Sequence, residues 1–156
     1  MKFHGLIEKQ RMFFNEGNTK SLEFRLAMLR ELKEAVKDGE DLFYDAMKRD
    51  LNKCPAEVYM TEIGIILEEL SFHIRHLASW MKEKRVATPL SQFPARSFIS
   101  PEPYGVALIM SPWNYPIQLC MLPLIGAISA GCTAVVKLSA YAPATSSAIA
   151  NVLKSI

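Results

Sequence analysis

Apolar residues recur at intervals of three and four over the first half of the chain and gather into short continuous runs over the second. Residues 3 to 15, with Leu6, Ile7, Met12 and Phe14, predict a short helix that Gly17-Asn18 ends. Leu22, Leu26, Leu29, Leu32 and Val36 form one stripe, so a second helix follows, with Asn18 or Thr19 as its N-cap and Asp38-Gly39 at its close. Residues 41 to 51 give a third, with Leu42, Phe43, Ala46 and Met47 on one face. Pro55 opens the longest helix. Its stripe of Ala56, Met60, Ile63, Leu67, Leu70, Ile74, Leu77 and Met81 alternates steps of four and three. Such a seam suits packing on neighbouring helices or a sheet, with a coiled coil as the alternative.

Charges from Lys82 to Arg85 end the helical part, and Thr88 to Ser97 reads as a linker. A short strand is expected at Arg96–Ser100, between Pro94 and Pro101. Gly105 to Met110 then reads as a buried strand with a turn at Ser111-Pro112, and Asn114–Ala130 as a helix that begins through Pro116. Thr133 to Lys137 is a second buried strand and Ala142–Ile156 a second helix. Strand, helix, strand, helix with short joins is a parallel crossover unit. The expected fold class is therefore α/β: N-terminal helices packed on part of a Rossmann-like, doubly wound parallel sheet. The expected division is a helical segment at 1–90, a linker with a short strand at 91–102, and the first part of a nucleotide-binding domain at 103–156.

The charge distribution sharpens this picture. All 16 acidic residues lie at or before Glu102, and the 34 residues from Pro103 to Val136 carry no charge. An apolar run longer than about 18 residues raises a membrane-spanning helix, but Pro112, Pro116 and Pro123 break this one into short pieces. Two strands and two helices in residues 103–156 cannot cover each other, and the chain stops at Val-Leu-Lys-Ser-Ile inside a helical pattern, so it reads as the front part of something longer. With 18 basic against 16 acidic residues the net charge is +2, which leaves no electrostatic footprint for nucleic acid. Three cysteines, Cys54, Cys120 and Cys132, without C-x-x-C spacing argue against a disulfide scaffold or zinc finger and make the reducing cytoplasm the default compartment.

Candidate chemistry is sparse. The glycine fingerprint of dinucleotide sites is absent, and Gly126 to Thr133 fails the phosphate-loop pattern because Cys132 stands at the lysine position; Gly131 reads instead as a helix C-cap. His73 and His76 lie three apart, but with no partner at ligand spacing they read as a solvated helix face, so no metal is expected. Cys120 and Cys132, in apolar surroundings, read as inert core thiols, and Cys54 beside Lys53 is the candidate for reactivity. Asn114 sits at a strand-to-helix corner between Pro112 and Pro116. Its plainer reading is an N-cap for the following helix; the alternative is an amide that donates to a developing oxyanion. Lys137 ends an apolar strand, suited to a ligand hydroxyl or phosphate, or simply reaching out to water.

The segment Glu102-Pro-Tyr-Gly-Val-Ala-Leu-Ile-Met-Ser-Pro-Trp-Asn-Tyr-Pro116, followed by Pro123 to Ala140, resembles the N-terminal half of the coenzyme domain of aldehyde dehydrogenases. Glu57 to Leu90 resembles the helical lead-in of the same family, in its class 3 branch of medium-chain, fatty and aromatic aldehyde oxidisers. The resemblance implies NAD or NADP as coenzyme, an aldehyde as substrate, and Asn114 as oxyanion donor to a cysteine-bound thiohemiacetal. It places the backbone of Met110, Ser111, Pro112 and Trp113 along the coenzyme and Lys137 at the adenosine ribose. Tyr115 and Leu119 would line an aldehyde tunnel. Ala140 stands where the family usually has a glutamate that bonds the ribose hydroxyls, which implies weaker NAD binding and better tolerance of NADP. The family's nucleophilic cysteine and general-base glutamate match no residue of this chain, so the chain alone is expected to be inactive. An alternative is a standalone, non-catalytic module that forms a homo-oligomer or binds a partner through an exposed apolar sheet surface.

Overall fold

Several helices start where a side chain or a proline closes the first turn. The computed structural model describes residues 3–156. A short helix, α1 (His4–Asn15), is followed by α2 (Leu22–Asp38), whose N-cap is Ser21. The Ser21 hydroxyl accepts the Phe24 amide at 3.1 Å. Thr19, one of the two expected caps, is buried instead and donates to the Gly131 carbonyl at 2.7 Å. Gly39 joins α2 directly to α3 (Glu40–Leu51).

The long helix that Pro55 opens is interrupted. It runs as α4 (Pro55–Val58), a π-helical turn (Tyr59–Ile63) and α5 (Gly64–Trp80). A π turn adds a residue and so rotates the helical face before it relative to the face after it. The expected stripe therefore holds only from Ile63 onward. Ala56 and Met60 are exposed, and Val58 and Glu62 occupy the buried face in their place. The stripe packs against α2 and α6 within the molecule and not as a coiled coil.

Lys84–Val86, which overlaps the charges at Lys82 to Arg85 expected to end the helical part, forms a strand, β1, antiparallel to β2 (Ser97–Ile99). The crossover unit comes next: β3 (Val106–Met110), α6 (Gln118–Ala130), β4 (Thr133–Lys137) and α7 (Pro143–Leu153). β3 and β4 pair in parallel, with Val106 opposite Thr133 and Met110 opposite Lys137. Gly131 ends α6 at φ +84°, as its position predicts. α6 starts at Gln118, later than Asn114, because residues 111–117 form a loop. α7 stops at Leu153, short of the expected Ile156.

The core gathers Leu29 and Leu32 of α2, Phe43 and Met47 of α3, Ile66 and Leu70 of α5, Met121 and Ile125 of α6, and Ile149 of α7, all fully buried. Full burial of each such side chain stabilises the fold by about 1.5–3 kcal/mol. Only one face of the parallel pair joins this core, through Ile109 and its partner Val136. The expectation of a buried strand fails for β3: Leu108 is 64% exposed and Met110 71%. No described layer covers them. Among the described residues no helix is long and apolar enough to cross a membrane.

Candidate functional site

The carboxyl ends of the two parallel strands lie side by side, and the loop 111–117 rises between β3 and α6. Ser111 anchors it. Its amide donates to the Lys137 carbonyl at 3.0 Å, extending the ladder, while its buried hydroxyl donates to the Pro116 carbonyl at 2.9 Å across the loop. Ser111 thus turns its side chain inward, and only backbone remains for a ligand. Pro112 is half-buried; Trp113, Asn114 and Tyr115 are exposed.

The far side of the corner is held from another part of the chain. Glu62, in the π turn, is wholly buried, and its Oε2 accepts the Ile117 amide at 2.9 Å and the Gln118 amide at 3.2 Å. A carboxylate at the N-terminus of α6 meets both the unpaired amides and the positive end of the helix dipole. The N-cap role that spacing suggests for Asn114 is therefore filled by Glu62. Lys53 neutralises that buried charge, with Nζ 3.1 Å from Glu62 Oε1. The same ammonium donates to the Asn114 carbonyl at 3.4 Å and stands 4.0 Å above the centre of the Tyr115 ring. The Asn114 side chain makes no hydrogen bond with the described residues, so its amide is available.

The structure brings most of the expected residues into this neighbourhood. Met110 and Lys137 are register partners at the strand ends, both exposed. The Leu119 amide donates to the Tyr115 carbonyl at 3.0 Å, one turn away, and both side chains are partly exposed. Lys137, with no side-chain partner among the described residues, presents a positive charge beside the backbone of 110–113. That set suits a ligand rich in hydroxyl and phosphate groups. Lys53 and Glu62 are contributors that sequence reasoning missed. A faint signal exists: Glu62 is an acid directly beside Ile63 of the apolar stripe, a position where a charge needs a partner.

The other candidates fall elsewhere. Cys120 is fully buried, and burial pushes its thiol up to about 12, so it is an inert core thiol. Cys132 is half-buried and Cys54 exposed. The Lys53 ammonium, which made Cys54 the reactive candidate, is committed to Glu62. His73 is not solvated: its Nδ1 lies 2.6 Å from Ser129 Oγ and its Nε2 3.0 Å from Glu69 Oε1. Both ring nitrogens are occupied, and no group of three or more possible metal ligands comes together among the described residues. A hollow of about 260 Å³ lined by Arg25, His73, Trp80, Glu102 and Ser129 lies at the opposite end of α6, away from this corner.

Known proteins share this chain's sequence and fold. Residues 3–156 match the family model described as "Aldehyde dehydrogenase family". The chain is 47% identical over 131 residues to 4,4'-diaponeurosporen-aldehyde dehydrogenase of Staphylococcus aureus, covering 84% of this chain and 28% of the relative. It is 40% identical over 151 residues to aldehyde dehydrogenase family 3 member B1 of Mus musculus, covering 97% and 32%. The substrate-bound structure of Staphylococcus aureus AldH superposes with a TM-score of 0.90 at 42% identity, over 94% of this chain and 32% of that one. The chain thus spans less than a third of the length of these proteins. The family model matched over residues 3–156, together with relatives at 40–47% identity and a shared fold, places this chain in the aldehyde dehydrogenase family.

Proposed function

We propose that these residues supply the coenzyme-facing and oxyanion-stabilising part of an NAD(P)-dependent aldehyde dehydrogenase. The observation that carries this reading is the Asn114 corner: an exposed amide with no hydrogen-bond partner, on a loop fixed by Ser111 on one side and Glu62 on the other. When an aldehyde is attacked by a cysteine thiolate, negative charge develops on the carbonyl oxygen. A preorganised amide donor aimed at that oxygen lowers the barrier, because it needs no reorganisation as the charge forms. Asn114 fills that role here. The attacking cysteine and the glutamate that activates water for thioester hydrolysis correspond to none of the 156 residues.

The strand ends would hold the coenzyme. Backbone at Met110, Ser111, Pro112 and Trp113 lies along it, Lys137 bonds the adenosine ribose, and Tyr115 and Leu119 flank the aldehyde's path. The coenzyme, when bound, accepts the hydride. The 1–90, 91–102 and 103–156 segments then serve as helical support, connector and coenzyme-binding unit. Ala140, exposed beyond β4, offers no carboxylate to the ribose hydroxyls or against a 2′-phosphate, so NADP is tolerated and NAD loses an anchor. NAD binding as tight as or tighter than NADP would overturn that assignment.

The test is Asn114→Ala in an enzyme of the relatives' length that carries these residues. Loss of one oxyanion donor lowers kcat by about 10²–10³-fold, while coenzyme affinity stays unchanged. An unaltered kcat overturns the role. The 156-residue polypeptide by itself is expected to give no aldehyde-dependent coenzyme reduction, and turnover would overturn that.

A second reading has its own observation. Leu108 and Met110, 64% and 71% exposed, put an apolar strip on the open face of β3. On its own, the chain would use that strip to self-associate or bind a partner.

A further inference from the structure

We propose that Lys53 is a positioning residue for Asn114, acting through the Asn114 carbonyl, with Glu62 as its anchor. This rests on the oxyanion reading above.

An oxyanion donor works only if its amide is held within a few tenths of an ångström of its place. Asn114 lies in a loop, not in a regular element, and neither its side chain nor its neighbours Trp113 and Tyr115 are buried. Packing therefore does not hold it. Two tethers do. From the strand side the Ser111 hydroxyl grips the Pro116 carbonyl at 2.9 Å. From the helix side Lys53 reaches the Asn114 carbonyl at 3.4 Å and covers the Tyr115 ring at 4.0 Å.

Lys53 can do this because it is itself fixed. Its side chain is only 11% exposed, and Nζ is bound at 3.1 Å to a carboxylate with no exposed surface. That carboxylate is pinned in turn by the amides of Ile117 and Gln118. One buried ion pair so links the start of α6, the corner's peptide group and the ring that comes after it. Glu62 holds the amides of residues 117 and 118, and Lys53 extends that hold to the Asn114 carbonyl.

The test is a double-mutant cycle on kcat in the same full-length enzyme. Lys53→Met is expected to lower kcat about tenfold without changing coenzyme affinity, and Lys53→Arg to restore most of the loss. If Lys53→Met does not fold, Lys53→Met combined with Glu62→Gln, which removes the tether and leaves no buried charge unpaired, replaces it. The decisive result is non-additivity: combined with Asn114→Ala, the Lys53 change should cost no more than Asn114→Ala alone, because it acts only through that amide. A residue that merely supports the fold would lower kcat by the same factor in both backgrounds. Such multiplicative losses, or a Lys53→Met enzyme within twofold of its parent beside a damaged Asn114→Ala enzyme, overturn this inference alone. A neutral Asn114→Ala overturns the oxyanion reading and this inference with it.

Discussion

Both ends of α6 and the start of α7 are closed by side chains from other parts of the chain. Glu62 caps the amino end of α6; at its carboxyl end the buried Arg25 donates to the Ser129 carbonyl at 3.2 Å, and Thr19 to that of Gly131. Burial is the main influence on Arg25, lowering its pKa, and it stays charged. Asp50 of α3 accepts the Thr145 amide at 2.7 Å and the Ala144 amide at 3.2 Å, closing the first turn of α7. Asp50→Ala should cost about 1–2 kcal/mol, the usual value of a lost cap. Glu62→Ala should cost about 3–5 kcal/mol, because it leaves a buried lysine uncompensated. Urea denaturation measures both, and equal losses would show that the ion pair adds nothing to capping. Gly131→Ala should cost about 1–2 kcal/mol for the left-handed backbone, and more because the new methyl would strike the Arg25 guanidinium. A native-like urea midpoint would refute that. Cys120 adds a pH dependence. Burial pushes its thiol up to about 12 from an ordinary value near 9, and burial together with the Glu40 hydrogen bond likewise raises Tyr44 to about 12. Both acids hold their protons longer when folded, so their contribution is complete below pH 9 and lost as pH climbs toward 12. Urea midpoints should fall over that window, and less steeply in Cys120→Ala.

At the scale of elements, the π turn decides what the long helix does. It puts Val58 and Glu62 on the buried side and leaves Met60, 74% exposed, on the outside. Deleting Met60 should let the segment relax to a regular helix with Val58 and Ile63 four residues apart on one face, both still buried. A urea-measured loss of about 2 kcal/mol, the value of one lost aliphatic burial, would refute that. Helix positions and their apolar faces were legible in the sequence for α2, α3 and most of α5, since a period of 3.6 needs only local information. The π turn was not, because Glu62 within it caps amides that lie 55 and 56 residues further along the chain. The same holds for β1: Lys84 to Val86 has no strand pattern of its own and becomes a strand only by pairing with Ser97 to Ile99.

Across the whole molecule, the uncharged stretch behaves as its composition foretold on one side and not on the other. Ile109, Val136 and the buried face of α6 join the core, whereas Leu108 and Met110 meet solvent. Exposed apolar strips of this kind favour association. Sedimentation of the 156-residue polypeptide should show concentration-dependent self-association that the pair Leu108→Lys and Met110→Glu suppresses; a monomer at all concentrations would refute it.

Taken by itself, the sequence determined the α/β order, the two apolar strands, the Gly131 stop and the corner that carries Asn114, because each is written in local spacing or in a backbone restriction. Only the tertiary structure decided that Glu62 and not Asn114 caps α6, that Lys53 reaches the Asn114 peptide, and that β3 buries one face alone. Those outcomes depend on groups far apart in the chain, Glu62 and Ile117 being 55 residues apart and Thr19 and Gly131 112 apart. A charge finds its counter-charge, and a helix end its cap, only once packing has brought them within hydrogen-bond reach.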